Sequence, residues 1–154
     1  MVKQLTVTFD RAVTAAAGAF QLTRRGGVAG SVTVTAANPA GDGKTFVLAF
    51  AEADAPGRSL ADGIYDLRVS AGQVTAAGVA MAADYVFAFH RLFTDANGDG
   101  VSDNADLFQM RSTYLKPSTD PAYKWYFDYN QDNIVDNADV FQVRSRRSIV
   151  FQGY

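Results

Sequence analysis

The sequence contains no cysteine, one histidine and one glutamate among its 154 residues. The absence of cysteine excludes disulfide frameworks, thiolate zinc sites and thiol catalysis. The single histidine, His90, lacks the partners that a histidine-based triad or metal site requires. No apolar run approaches the roughly 18 residues that a membrane helix needs, so we expect no membrane insertion. Most families of enzymes are disfavoured by these absences alone.

Charge narrows the function classes further. The 14 basic residues nearly balance the 16 acidic ones, which argues against a nucleic-acid binder because such proteins need a basic excess to contact phosphates. Fifteen of the acids are aspartate, a residue that turns and metal loops favour over helices. The exception, Glu52, is isolated in a turn rich in Gly, Pro and Ala, so no carboxylate pair for glycoside hydrolysis is apparent. We therefore expect a protein that is not an enzyme.

Short stretches with β-branched or aromatic residues at every second position fill the first 89 residues. They span residues 5–9, 31–35, 45–50, 64–69 and 85–89, with weaker candidates at 19–24 and 73–75. Spaced strands with turn residues between them predict an antiparallel, all-β immunoglobulin-like sandwich over residues 1–89. Within it, Tyr65 is either the hydrogen-bonding residue of a tyrosine corner or an ordinary core tyrosine.

From residue 90 onward the sequence repeats itself. The 18 residues beginning at Asp95 align without gaps with the 18 beginning at Asp128, at an offset of 33 and with 11 identities. Internal duplication identifies a structural unit, so we assign residues 90–154 to a second domain.

Each copy places side-chain oxygens at loop positions 1, 3, 5, 9 and 12 and an apolar residue at position 7, which is the pattern of an EF-hand calcium loop. Position 6 needs a left-handed backbone, which Gly100 supplies in one copy and Asn133 tolerates in the other. The alternative is a pair of Asp-rich and Asn-rich turns without metal. Two Ca²⁺ ions are expected, with ligands Asp95, Asn97, Asp99, the Val101 carbonyl, Asp103 and Asp106 in the first loop, and Asp128, Asn130, Asp132, the Ile134 carbonyl, Asp136 and Asp139 in the second.

Both loops end on Asp where ordinary EF-hands end on Glu, and the first follows a strand without room for an entering helix. A calcium sensor needs a pair of helices that can open, so a structural or docking role fits better. Residues 123–127 are predicted to form a short aromatic entering helix that fills the core or, alternatively, offers a sugar-stacking platform. The basic cluster of Arg144, Arg146 and Arg147 is either a solvated face or a rim that steers an acidic partner.

These repeated residues resemble a type I dockerin over about residues 93–151. The resemblance implies a small α-helical module with two EF-hand-like calcium loops after the sandwich, and non-catalytic docking to a cohesin domain on a secreted or cell-surface protein linked to polysaccharide degradation. It also implies a partner surface at loop positions 10 and 11 and in the following helix. Its residues here are Asn104, Ala105, Phe108, Asn137, Ala138 and Phe141.

The preceding segment resembles bacterial Ig-like domains, through the stretches at residues 7–10 and 65–69 and an aromatic closing strand. The combination resembles the C-terminal ends of large secreted proteins of planctomycete-type bacteria, so we expect a monomeric extracellular piece of a longer protein. Because the Asn-Ala pair recurs in both copies, we hypothesise that either copy can bind the same partner. The alternatives are a calcium-stabilised spacer or adhesion module without a cohesin partner and a carbohydrate-binding sandwich.

Overall fold

The computed structural model describes residues 1–51 and 59–151, so Glu52 lies outside the described residues. Within these ranges strands dominate the first 91 residues, and two short helices lie in the repeated segment. The strands are β1 (Gln4–Thr8), β2 (Thr14–Ala15), β3 (Phe20–Gly26), β4 (Gly30–Ala37), β5 (Thr45–Ala51), β6 (Gly63–Val69), β7 (Val74–Ala76), β8 (Val79–Ala80) and β9 (Tyr85–Arg91), and the helices are α1 (Asn104–Arg111) and α2 (Asn137–Ser145).

The larger sheet has six antiparallel strands in the order β1-β5-β4-β3-β6-β9, and a smaller sheet has the order β2-β7-β8. Alternation along each strand determines which residues are buried, because successive side chains point to opposite faces. In β3 and β6 this gives buried Leu22 beside Leu67, and in β5 it buries Leu48. All seven predicted strands are present, whereas the two-residue strands β2 and β8 gave no detectable alternation.

The predicted fold class, an immunoglobulin-like sandwich followed by a small α-helical module with two EF-hand-like loops, is wrong. The described chain is mostly β-sheet and turns, and α1 and α2 contain only 8 and 9 residues. The predicted entering helix over residues 123–127 is instead a three-residue 3₁₀ turn, Trp125–Phe127. Most of each repeat lies in turns because Asp and Asn side chains bond the local backbone, and these bonds compete with helix formation.

Two hydrophobic clusters lie in different parts of the chain. One gathers residues of the sheets around the fully buried Tyr65, and the other gathers residues of the two repeats. The predicted boundary between residues 89 and 90 falls inside β9, which continues to Arg91. The division into two domains remains a prediction. The core of the second cluster consists of Phe93, Met110, Phe127, Val135 and Val143.

Tyr65 makes the hydrogen bond expected of a tyrosine corner. Its hydroxyl donates to the carbonyl of Ala61 at 2.7 Å, and its ring stacks on Phe89 of β9 with centroids 5.3 Å apart. This bond ties the segment before β6 to the core. Nowhere in the two described ranges is a helix long and apolar enough to cross a membrane.

Candidate metal centre

Both repeated loops end in the same way, with the position-9 aspartate capping a helix. The side chain of Asp103 accepts a hydrogen bond from the backbone N–H of Ala105, and Asp136 accepts one from Ala138, each at 2.7 Å. Such caps satisfy N–H groups that the first helical turn leaves without a partner. The caps begin α1 and α2 at equivalent positions of the two repeats.

The position-12 aspartates are fully buried and bridge the two ends of each loop. Asp106 accepts from the N–H of Ala96 through one oxygen and of Asp103 through the other, both at 2.9 Å. Asp139 accepts in the same way from Tyr129 at 2.7 Å and from Asp136 at 2.8 Å. Each carboxylate therefore holds the start of its loop against the following helix.

Positions 3, 5 and 7 lie on the outer side of each loop. The Asn97 amide donates to one oxygen of Asp99 at 2.8 Å, and the N–H of Val101 donates to the other at 2.8 Å. The second loop repeats this arrangement. Its equivalent bonds run from Asn130 to Asp132 at 2.8 Å and from the Ile134 N–H to Asp132 at 3.1 Å.

The backbone of both loops is left-handed at positions 4 and 6. Asn133 has φ of 73°, beside 81° for Gly100, so the predicted left-handed conformation at position 6 is confirmed. At position 4, Gly98 has φ of 80° and Gln131 has φ of 60°. Sequence reasoning did not anticipate this demand on Gln131, which costs more for a residue with a Cβ than for glycine.

The position-1 aspartates distinguish the two loops. Asp95 is surrounded by donors: its Oδ1 accepts from the N–H of Gly98 at 2.7 Å and of Asp99 at 3.1 Å, and its Oδ2 accepts from the N–H of Gly100 at 2.8 Å. Nε2 of His90 lies 2.5 Å from the same Oδ2. Both oxygens of this carboxylate are therefore satisfied.

Asp128 is satisfied on one side only. Its Oδ2 accepts from the Tyr123 hydroxyl at 2.6 Å and from the Asn133 N–H at 3.0 Å. Its Oδ1 is buried without a hydrogen-bond partner among the described residues, and the whole residue is 1% exposed. Burying a carboxylate oxygen without a partner is unfavourable, so this atom is suited to a cation.

The electrostatics of the second loop point the same way. Burial raises the pKa of Asp139, and the nearby negative charge of Asp128 raises it further against the lowering effect of its backbone hydrogen bonds. Burial and the hydrogen bond to Asp128 also raise the pKa of the Tyr123 hydroxyl. Both shifts report a buried site with excess negative charge.

The donors fit a hard cation chemically, because Ca²⁺ binds carboxylate, amide and backbone oxygens. Among residues 1–51 and 59–151, however, no three His, Asp or Glu side chains form a group that could hold a metal ion. The loop carboxylates instead face backbone N–H groups. The unpartnered Asp128 Oδ1 is the observation on which the fit to calcium depends, and the ligand assignment remains a prediction.

The six residues predicted to contact a partner fall into two kinds. Asn104 and Asn137 are engaged within the protein, since Asn104 accepts from Arg147 at 2.8 Å and Asn137 accepts from the Tyr114 hydroxyl at 2.7 Å. Each bond links the start of one helix to residues near the end of the other. In contrast, Ala105, Ala138, Phe108 and Phe141 are exposed on the two helices.

Two sequence interpretations are resolved by side-chain positions. In the aromatic segment Phe127 is fully buried while Trp125 is half-exposed, so most of the segment fills the core. In the basic cluster, Nε of Arg146 contacts Asp62 at 2.5 Å and its guanidinium lies 4.8 Å from the Tyr129 ring centroid. Arg146 is therefore neither a solvated residue nor a free rim charge.

No family model matches the chain, and no curated protein matches it. Solved structures that it resembles include a C-terminal interface mutant of a type II cohesin–X–dockerin complex from Acetivibrio cellulolyticus, at 16% identity and a TM-score of 0.37. An N-terminal interface mutant of that complex matches at 14% identity and the same TM-score. Each match covers 96% of this chain and 97% of the other. At these scores the likeness carries no argument about fold or function.

Proposed function

We propose that the chain is a calcium-binding, non-catalytic docking module of a secreted or cell-surface protein. The two loops would each hold one Ca²⁺ ion, and the ions would fix α1 and α2 for contact with a protein partner. A cohesin-like domain is the partner class that the dockerin resemblance of the repeats suggests.

The observation that supports calcium most strongly is the buried, unpartnered Oδ1 of Asp128. A bound cation would supply its missing partner and would offset the charge that Asp139 places nearby. The residues that would hold the ion are the six predicted for each loop. Calcium would contribute positive charge there, while the chain supplies oxygens and a preformed backbone turn.

Calorimetric titration with Ca²⁺ tests this part of the proposal. We expect two ions to bind per chain and Asp128→Asn to remove one of them. Asp66→Asn is the matched control, because it removes the same charge from an aspartate of β6 that pairs with Arg25 away from the loops. Equal stoichiometry in the wild type and Asp128→Asn would contradict the assignment.

Docking is supported by a pair of equivalent aromatic side chains. Phe108 and Phe141 occupy the same position in α1 and α2 and are 71% and 66% exposed. The guanidinium of Arg111 lies 5.6 Å from the Phe108 ring centroid, so a cation accompanies the apolar group. Aromatic and arginine side chains are frequent anchors in protein interfaces.

A binding assay tests docking directly. Recombinant type I and type II cohesin domains would be the probes, with calcium present. We expect the double variant Phe108→Ala, Phe141→Ala to weaken binding by at least 2 kcal/mol, about 30-fold, because exposed aromatic anchors commonly dominate interface energy. Val28→Ala, at a highly exposed residue outside the repeats, is the control. Binding unaffected by the double substitution would exclude this surface.

A calcium-stabilised spacer is the second candidate, and the contacts of Asp62 favour it. The carboxylate accepts hydrogen bonds from Arg91 of β9, from the N–H of Phe93 and from Arg146 beyond α2. These bonds connect the sheet to the repeated segment. A rigid connection of this kind suits a spacer, and failure of every cohesin probe in the presence of two bound calcium ions would favour it.

A further inference from the structure

We infer that His90 and Tyr123 are matched positioning residues, each orienting the position-1 carboxylate of its own calcium loop by a hydrogen bond to Oδ2. This inference rests on the proposed calcium function. It assigns a role to two residues outside the predicted ligand set, and that role is to set the calcium affinity of each loop separately.

The two residues are equivalent in the repeat. Each lies five positions before its aspartate, and the spacing between them is the same 33 residues that separates the loops. Nε2 of His90 lies 2.5 Å from Oδ2 of Asp95, and the Tyr123 hydroxyl lies 2.6 Å from Oδ2 of Asp128. An ionised carboxylate only accepts hydrogen bonds, so both side chains act as donors.

The backbone between donor and aspartate also repeats. The N–H of Asp95 donates to the carbonyl of Leu92 at 3.1 Å, and the N–H of Asp128 donates to that of Trp125 at 3.2 Å. The same oxygen that receives the side-chain donor receives the position-6 N–H in both loops. The arrangement is therefore a shared local motif that extends beyond the aligned 18 residues.

Different structural elements deliver the two donors to this common place. His90 belongs to β9 and is paired with Ile64 of β6. Tyr123 follows a turn in which its N–H donates to the carbonyl of Asp120 at 2.9 Å, and its ring packs on the second hydrophobic cluster. The bond to the aspartate persists although the residue type and the supporting element differ, which points to the bond as the common requirement.

Hydrogen bonds to ligand side chains commonly change metal affinity by about 10–100-fold. We expect Tyr123→Phe to weaken calcium binding in the second loop by about that factor and to leave the first loop unchanged. His90→Phe should do the reverse. His90→Gln should restore most of the affinity, because its amide can donate from a position similar to that of Nε2.

Calcium calorimetry in two single-site backgrounds separates the loops. Asp128→Asn leaves the first loop available and Asp95→Asn leaves the second. Tyr126→Phe, which removes a hydroxyl from the same aromatic segment, is the control for Tyr123→Phe. Circular dichroism of each variant in chelator provides a readout without calcium and checks that the fold is retained.

Loop-selective losses with rescue by His90→Gln would support the inference. Two ions bound with unchanged affinities in both Phe variants would overturn it while leaving the proposed function intact. Equal weakening of both loops by either variant would also overturn it, because a general structural defect has no loop selectivity. A wild type that binds no calcium would overturn the proposed function and this inference together.

Discussion

The two loops have the same predicted ligand types and nearly the same hydrogen bonds, yet their position-1 carboxylates differ. Asp95 has partners for both oxygens, whereas the Oδ1 of Asp128 has none among the described residues. The loops also differ at position 4, which is Gly98 in one and Gln131 in the other. Identical ligand residues thus produce different electrostatic conditions, and the second loop has more to gain from a cation.

Calcium removal should have the largest effect on the whole molecule. Calcium at 100 times the dissociation constant stabilises by about 2.7 kcal/mol per site, so two sites give about 5 kcal/mol. For a chain of this size that corresponds to a melting temperature higher by roughly 10–20 °C. Differential scanning calorimetry in millimolar calcium and in EDTA measures the shift, and superimposable curves would contradict it.

Asparagine substitutions at position 1 sharpen the comparison in the absence of calcium. In EDTA, Asp128→Asn should raise the free energy of unfolding by about 1–2 kcal/mol, because it removes a buried charge with an unpartnered oxygen. Asp95→Asn should lower it by about 1–3 kcal/mol, because it weakens several hydrogen bonds to a charged acceptor.

Urea denaturation of both variants in EDTA gives the two signs. Asp66→Asn serves again as the charge-matched control. Shifts of the same direction in Asp95→Asn and Asp128→Asn would show that the two carboxylates have equivalent surroundings, and the difference between the loops would then be lost.

Position 4 should give the smallest effects. Gly98→Ala should cost about 1 kcal/mol, since φ is 80° and nothing lies within 4 Å of the added Cβ, so the cost comes from the backbone alone. Gln131→Gly should change stability by less than about 0.5 kcal/mol, because relief of its left-handed backbone is offset by greater freedom of the unfolded chain.

Urea midpoints of the two position-4 variants in EDTA test this difference. A tolerated Gly98→Ala would mean that the first loop does not depend on glycine at position 4. A strongly destabilising Gln131→Gly would instead assign importance to the side chain, whose Oε1 accepts from Lys3 at 3.2 Å.

Local features were predictable because they depend on neighbouring residues. Alternation located the seven stronger strands, Tyr65 was recognised from its position before a core residue, and the left-handed backbone at Asn133 followed from its place in the loop. The duplication was visible in the letters alone. Each of these signals is contained within a few consecutive residues or repeats at a fixed offset.

Features that depend on distant or dissimilar residues were missed. Asp62 and Arg146 are 84 positions apart, and neither lies in a recognisable pattern. His90 and Tyr123 occupy equivalent positions, but extension of the alignment by five residues pairs two different side-chain types. The fold class was wrong because Asp120 and Pro121 resembled a helix start, while the following segment forms only a 3₁₀ turn.

Calcium stoichiometry of the wild-type chain tests the central claim most directly. Equilibrium titration of the chelator-treated protein should reach two ions per chain, with Asp128→Asn reaching one. Saturation at zero ions in millimolar calcium would contradict the account of both loops.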